Sequence, residues 1–398
     1  MNSDSLERQA ELVLVDPDGN VIGKLPPVLT DVPWWPEVET VVRAVRERFG
    51  LDVTILRLLP TQRLGMRGGA VSYLAQVEKP VECEPCDVVL HEHPLRLRYA
   101  KPGGPKADLE WANSVLAQHK LALVAAPVQV KTWNLSSLWR LPLGTEVAWL
   151  KAVPPFFQHE GALIDALGPG APVPRLFGYE RGRLLMREIP GDDLWDATLE
   201  QRLLMIDMLV RLQRDWAPRV EGLLEIGLPD WRGPALGQAI ADVFERTRDQ
   251  LDATQARAVE RFIAGLDVRF DALGECGIPD SFVHGDYHSG NVRGIAHDLT
   301  ILDWGDAGIG HPLLDHPAFM RGAPTQLHAQ LRAYWEAAWR AVYPGCDPAR
   351  AWDLLAPIAP ARQAVTFRRF LDNIEPSEHP YHRDDPRERL QCVAELVS

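Results

Sequence analysis

The apolar pattern of this chain becomes almost wholly helical after the stretch PGDDL (residues 190–194), and that change constrains the fold more than any single motif. Upstream, apolar residues mostly alternate in short runs bounded by Gly, Pro, Asn and Asp, as strands and turns require. Downstream they recur at helical spacing in LEQRLLMIDMLVRLQRDWA, LGQAIADVFERTRDQL, LHAQLRAYWEAAWRAV and WDLLAPIAPARQAVTFRRFLD. One β-like island interrupts the helices, from DSFVHGDYH to VRGIAHDLTILDWGD. A β-rich part followed by a helix-rich part argues for an α+β chain. With 398 residues, more than one hydrophobic core is expected.

The β-rich part divides further. ELVLVDPDGNVIGKL alternates apolar residues around Asp-Gly-Asn and reads as a hairpin. Next, EVETVVRAVRERFG places Val38, Val41, Val42, Val45 and Phe49 on one helical face and stops at Gly50, a C-cap residue. Strand-like DVTILRLL, AVSYLAQVE and LRLRYA follow, so residues 1–105 are expected to form a small α+β domain. A Pro/Gly breaker and a connecting helix in AKPGGPKADLEWANSVLAQHK make 106–126 a linker. Residues 127–190 hold three strands joined at NLSS and LGTE, a helix FQHEGALIDALG closed by Gly168, and two strands that meet at RG. Residues 191–398 are the helical part.

Composition narrows the partners. A net charge of -13 leaves no basic surplus to displace counterions, so nucleic acid is not expected as a partner. No apolar run approaches a membrane span, and the first residues, MNSDSLERQAELVLVD, lack a signal-peptide core, so a cytoplasmic location is expected. Five cysteines in a chain of this length do not make a disulfide framework.

The β-like island carries the chemistry. VHGDYHSGNVRG packs His284, Asp286, His288 and Asn291 together, and Asp303 follows the short strand LTIL. Phosphoryl transfer needs such a set: a carboxylate to receive the proton of an acceptor hydroxyl, and an amide oxygen with a second carboxylate to hold Mg²⁺ at the nucleotide phosphates. Upstream, Lys151 ends the strand VAWLK and Glu160 opens a helix. A strand lysine held by a helical glutamate neutralises phosphate charge. A competing reading makes His284, His288 and Asp286 zinc ligands, but no further clustered ligand stands at suitable spacing.

In the order Lys151, Glu160, Asp286, Asn291, Asp303, the chain resembles the aminoglycoside phosphotransferase and choline kinase-like superfamily. HGDYHSGN is similar to its catalytic loop, and LDWGDAGIGHPLLD to its metal-binding segment and the turn after it; the likeness covers roughly residues 120–375. It implies a two-lobed protein-kinase-like fold, with a small β-rich lobe over 127–190 and a large helical lobe over 191–398. Asp286 would be the catalytic base, Asn291 and Asp303 the Mg²⁺ ligands, and Lys151 with Glu160 the phosphate-binding pair for ATP or GTP. Gly310 and Asp315 match structural turn positions, and His284 and His288 would brace the loop. No glycine-rich loop separates the first two strands; NLSSLW stands there, and the backbone N–H groups of Ser136 and Ser137 are expected to cover the phosphates.

The first domain is weakly similar to a Nudix domain through Arg43, Glu47, Gly50 and Leu51. Ala44, Arg48 and Trp35 replace glutamates that would bind metal there, so hydrolase activity is not expected. Cys83, Cys86, His91 and His93 have a spacing short for a zinc finger, and a surface turn and strand is the favoured reading. For the acceptor, Asp192, Asp193 and Asp196, with Asp372, Glu375, Glu378, Asp384 and Asp385, suggest an acidic wall that would attract an amino sugar. A solvated helix end is the alternative. The expected activity moves the γ-phosphate of a nucleoside triphosphate to a hydroxyl of a small molecule, such as an aminoglycoside or amino sugar. A sugar, a choline-like alcohol or an amino acid is the alternative acceptor. A nucleotide-binding pseudokinase is disfavoured by the intact residue set.

Overall fold

The structure is a computed structural model and describes residues 7–60, 66–79, 81–144 and 146–398. Thr145 of the expected LGTE turn and the first six residues lie outside the described residues. Contacts divide the chain into two units, the first within residues 1–161, 175–188 and 370–383, the second within 162–174, 189–369 and 384–398.

The first unit contains two sheets. Strands β1 (Arg8–Val15), β2 (Val21–Thr30), β3 (Val53–Leu58) and β4 (Gly69–Val77) form a mixed sheet in the order β2-β1-β4-β3. The expected β1–β2 hairpin forms because Asp16 Oδ1 accepts from the backbone N–H of Asp18 and Asn20, at 3.0 and 2.8 Å. Helix α1 (Glu39–Phe49) buries Val41 and Val45 and ends where Gly50 turns left-handed at φ 69°. Its valines join Leu12, Leu14, Ile55 and Tyr73 in one core. Trp35 and Ala44 serve that core, and Arg48 donates to the Pro27 carbonyl at 2.8 Å.

LRLRYA, read as a strand, ends in a 3-10 turn at Arg98–Ala100. Tyr99 and Ala100 are buried in succession, while Arg96 and Arg98 turn to the buried carboxylates of Glu375 and Asp108, so the alternation of a strand is lost. Helix α2 (Gly104–Gln118) follows. Then β5 (Val128–Trp133), β6 (Ser136–Pro142), β7 (Val147–Ala152), β8 (Leu176–Glu180) and β9 (Arg183–Arg187) form an antiparallel sheet in the order β5-β6-β7-β9-β8. Helix α3 (Glu160–Leu167) leaves β7 by a 3-10 turn at Pro155–Phe157.

The two sheets are joined edge to edge. The buried Gln129 side chain accepts from Ile55 N at 2.8 Å and donates to Ile55 O at 2.7 Å. Val38 N donates to Val130 O, and Thr132 N to Pro36 O. The segment 370–383 also enters this unit: Tyr381 packs in the first core, and Asn134 Nδ2 donates to Glu378 O at 3.3 Å.

The second unit is mainly helical. It contains β10 (Asp192–Asp193), α4 (Leu199–Trp216), α5 (Val220–Glu225), α6 (Gly233–Thr247), α7 (Ala253–Ala264), α8 (Leu266–Gly274) and β11 (Ser281–Val283). After these come β12 (Val292–Ile295), β13 (Asp298–Ile301), β14 (Gly308–Gly310), α9 (His316–Arg321), α10 (His328–Val342), α11 (Pro348–Leu355), α12 (Ile358–Asn373) and α13 (Asp385–Val397). Thr198 with Gln201 and Asp252 with Gln255 form capping boxes that start α4 and α7. The β-like island becomes two small sheets, β10-β12-β13 and β11-β14. No helix among the described residues is long and apolar enough to cross a membrane.

Candidate active site

The loop 284–291 leaves β11 and returns as β12, and its backbone is held from below. The buried Asp315 carboxylate accepts from His284 N at 2.9 Å, from Gly285 N at 2.7 Å and from Gln213 Nε2 at 3.0 Å. Burial pushes the Asp315 carboxyl up to about 7, against the pull of those loop N–H groups. Arg362, also buried, donates to Gly285 O at 2.8 Å. Gly285 has φ +90°, and a Cβ there would lie 2.2 Å from the Asp306 carbonyl oxygen. Only glycine fits this turn.

Histidines fix the loop in two directions. His284 is fully buried, and its Nε2 faces the Leu302 carbonyl at 2.8 Å, which assigns the ring proton to Nε2. Burial lowers its pKa to about 4, so the ring is neutral. His288 Nδ1 accepts from Gly290 N at 3.0 Å, which leaves Nε2 as the donor toward Asp286 Oδ2, 3.4 Å away. Arg321 Nη2 lies 3.6 Å from the other Asp286 oxygen. Burial works to raise the Asp286 carboxyl, but the hydrogen bond from His288 leads the opposing influences, and the carboxyl is held below the ordinary value. An ionised, partly exposed carboxylate with a fixed orientation can accept a proton.

Asn291 and Asp303 are drawn together through Leu302. Its N donates to Asn291 O at 2.8 Å, and its O is held by His284. Asn291 Nδ2 donates to Asp286 O at 2.9 Å, so the amide presents Oδ1 as its remaining ligand atom. Asp303 adopts a left-handed φ of 60°, a costly conformation for a non-glycine residue. An amide oxygen and a carboxylate are the donor types that a hard divalent cation such as Mg²⁺ takes. In the first unit, Lys151 on β7 and Glu160 at the start of α3 form a 2.7 Å pair with side-chain exposures of 12% and 2%.

Other expected residues are placed differently. Ser136 and Ser137 are buried in β6, where their Oγ atoms accept from Trp133 Nε1 and Trp139 Nε1, both at 3.2 Å. The β5–β6 register pairs Trp133 with Ser136, so the turn is only Asn134-Leu135, too short to wrap a triphosphate. Asn134 is itself buried, facing Glu378 O and His382 Nε2. The Ser136 and Ser137 side chains thus serve the sheet itself.

The acidic wall is not assembled either. Glu375 and Glu378 are buried: Glu375 faces Arg96 at 3.0 Å, and Glu378 Oε1 accepts from Leu58 N at 3.1 Å. Both brace the first unit instead of facing an acceptor. Asp192 and Asp193 remain exposed on β10, with Asp193 paired to Arg293 at 2.9 Å, and Asp384 pairs with Arg387 at 3.4 Å. No group of three or more His, Cys, Asp or Glu among the described residues is arranged to hold a metal ion. The anchoring roles of Gln213 and Arg362 and the approach of Arg321 to Asp286 were not anticipated. A signal for Arg362 exists, since it interrupts the apolar face of IAPARQAV.

Comparison with known proteins follows the same lines. A family model described as the phosphotransferase enzyme family matches residues 128–352. No curated protein matches the chain. Among solved structures, a candidate aminoglycoside phosphotransferase from Ralstonia eutropha JMP134 is 16% identical with a TM-score of 0.51, covering 73% of this chain and 98% of its own. Macrolide 2'-phosphotransferase MphH from Brachybacterium faecium is 16% identical with a TM-score of 0.48, covering 69% and 97%. At these identities the first likeness speaks for a two-lobed kinase-like fold, with part of this chain outside the match.

Proposed function

Because the chain belongs to the phosphotransferase enzyme family, whose model spans more than half of it, we propose that this small-molecule kinase moves the γ-phosphoryl group of a nucleoside triphosphate to a hydroxyl of a small acceptor, with Asp286 as proton acceptor. The observation that carries the reading is the state of Asp286: ionised, directed by His288, and mounted on a loop whose backbone is pinned by Asp315 and Arg362. Attack by the hydroxyl forms an O–Pγ bond, breaks the bond from Pγ to the β,γ-bridging oxygen so that the nucleoside diphosphate leaves, and delivers the hydroxyl proton to Asp286. Lys151, held by Glu160, offsets phosphate charge. Mg²⁺ at Asn291 and Asp303 supplies further charge compensation when bound. His284 keeps Leu302, and with it Asp303, in register with the loop.

The acceptor follows from what surrounds the site. With Glu375 and Glu378 buried in ion pairs and hydrogen bonds, the case for a polycationic aminoglycoside weakens. A sugar, a choline-like alcohol or an amino acid is the second reading, and the Arg321 guanidinium beside Asp286 favours the amino acid, whose carboxylate it can pair, over the cationic choline-like alcohol. Nucleotide turnover across a panel of hydroxyl compounds, with ATP and with GTP, tests the assignment. Asp286→Ala is expected to lower acceptor-dependent turnover roughly 10²–10⁴-fold. Equal turnover by both proteins would sink the reading, and unchanged aminoglycoside sensitivity of cells expressing the protein would leave a metabolic acceptor.

A further inference from the structure

Away from the candidate active site, the first unit holds a cavity of about 450 Å³ lined by Arg96, Arg98, Tyr99, Gln158, Arg181 and Asn373. Its walls come from residues 94–99, from the connection between β7 and α3, and from the β8–β9 turn. Two buried carboxylates neutralise this neighbourhood, and each is shared by two guanidiniums. Glu375 faces Arg96 at 3.0 Å and Arg57 at 3.7 Å, while Asp108 faces Arg98 at 2.9 Å and Arg183 at 2.8 Å.

The other acidic groups do not redress the balance. Glu180 is committed to Arg183 at 2.6 Å, Glu92 reaches Arg96 only at 3.8 Å from an exposed position, and Glu378 accepts from Leu58 N. Arg181, exposed, donates to the neutral amide oxygen of Gln158. A local surplus of positive charge thus stands in a chain whose net charge is -13.

We propose that this cavity is a second ligand site, which takes a compact polyanion carrying phosphate or carboxylate groups on Arg98 and Arg181. Val153 and Gln158 also line it, two residues after Lys151 and two before Glu160. A bound anion therefore touches both ends of the connection that carries the lysine–glutamate pair.

Isothermal titration of the full chain with pyrophosphate, and separately with citrate, in the absence of divalent metal tests the site. Saturable binding is expected, weakened at least about tenfold in Arg98→Ser/Arg181→Ser and unchanged in Lys151→Met. Both arginines are partly exposed, and Arg181→Ser alone, with an unaltered melting curve, repeats the comparison should the double variant unfold. Pyrophosphate binding alone assigns a phosphate ligand and citrate binding alone a carboxylate ligand, each in support. No saturable binding, binding indifferent to the arginines, or binding lost with Lys151→Met overturns the proposal.

Discussion

The Asp315 carboxylate takes hydrogen bonds from His284 N, Gly285 N and the Gln213 amide, so three donors converge on one buried group that lies behind the candidate base. Asp315→Asn keeps the volume but turns an N–H₂ toward some of those donors. Leaving a buried donor unsatisfied costs about 1–3 kcal/mol, and the loop is expected to shift. We expect kcat to fall roughly 10²-fold while the protein stays folded, a scale set by small misplacements of catalytic groups. Steady-state kinetics with circular dichroism checks this, and an unchanged kcat would show that the loop does not need the anchor. Glu378 gives a different, pH-dependent signature. Burial raises its carboxyl from an ordinary 4.5 to about 8. Between those values the folded chain holds a proton that the unfolded chain releases, so this contribution to stability is present at low pH and is lost as pH rises through 8. Urea midpoints of the native protein should fall from pH 5 to pH 8 more steeply than those of Glu378→Gln, which keeps an acceptor for Leu58 N without the charge. Parallel pH curves for the two proteins would refute it.

At the scale of elements, the Gln129 side chain on β5 reinforces the backbone junction between two sheets. Gln129 satisfies both the N–H and the C=O of Ile55, and it is 3% exposed. Gln129→Ala leaves both backbone groups without that partner, and a loss of about 2–4 kcal/mol is expected in chemical denaturation. A loss under ~0.5 kcal/mol, ordinary for a surface site, would show that water replaces it. Nothing in PVQVKTW marks Gln129 for this role, because its partner lies 74 residues away. The same distance effect separates what was legible from what was not. Asp286, Asn291 and Asp303 were legible because the loop and the strand that bring them together are local in sequence. The burial of Asn134 in the β5–β6 turn was not legible, because it depends on Glu378 and His382, 244 and 248 residues downstream. Glu375 and Glu378 were read as a solvated wall because glutamate is rarely buried without a partner, and their partners Arg57, Arg96 and Leu58 sit in the first domain. LRLRYA failed for a related reason, since the pull of buried carboxylates overrode local alternation.

At the scale of the whole molecule, the first unit is woven from three stretches of chain, and its N-terminal sheet supplies partners that the rest of the unit needs. Residues 8–77 bring Ile55 to Gln129, Leu58 N to Glu378, and Arg57 to Glu375. They also supply the core in which Tyr381 is buried and against which Trp133 packs. A chain beginning at Gly104 would keep the segments matched by the family model but lose all of these partners, Arg96 among them. The Glu375 carboxylate would then sit without either guanidinium, and an uncompensated buried charge costs about 3–5 kcal/mol. Trp133 and Tyr381 would together expose apolar surface on the order of 300 Å² or more, taking roughly 150–250 Å² for each ring, next to an unpaired β5 edge that invites aggregation. Such losses approach the 5–15 kcal/mol of a typical domain's stability. The truncated chain is therefore expected to be insoluble, or soluble only when residues 1–103 are supplied as a separate polypeptide. Sedimentation and a urea unfolding curve decide the matter. A soluble, cooperatively unfolding 104–398 fragment with the stability of the full chain would mean that the N-terminal sheet is an attachment and not a structural half of this kinase.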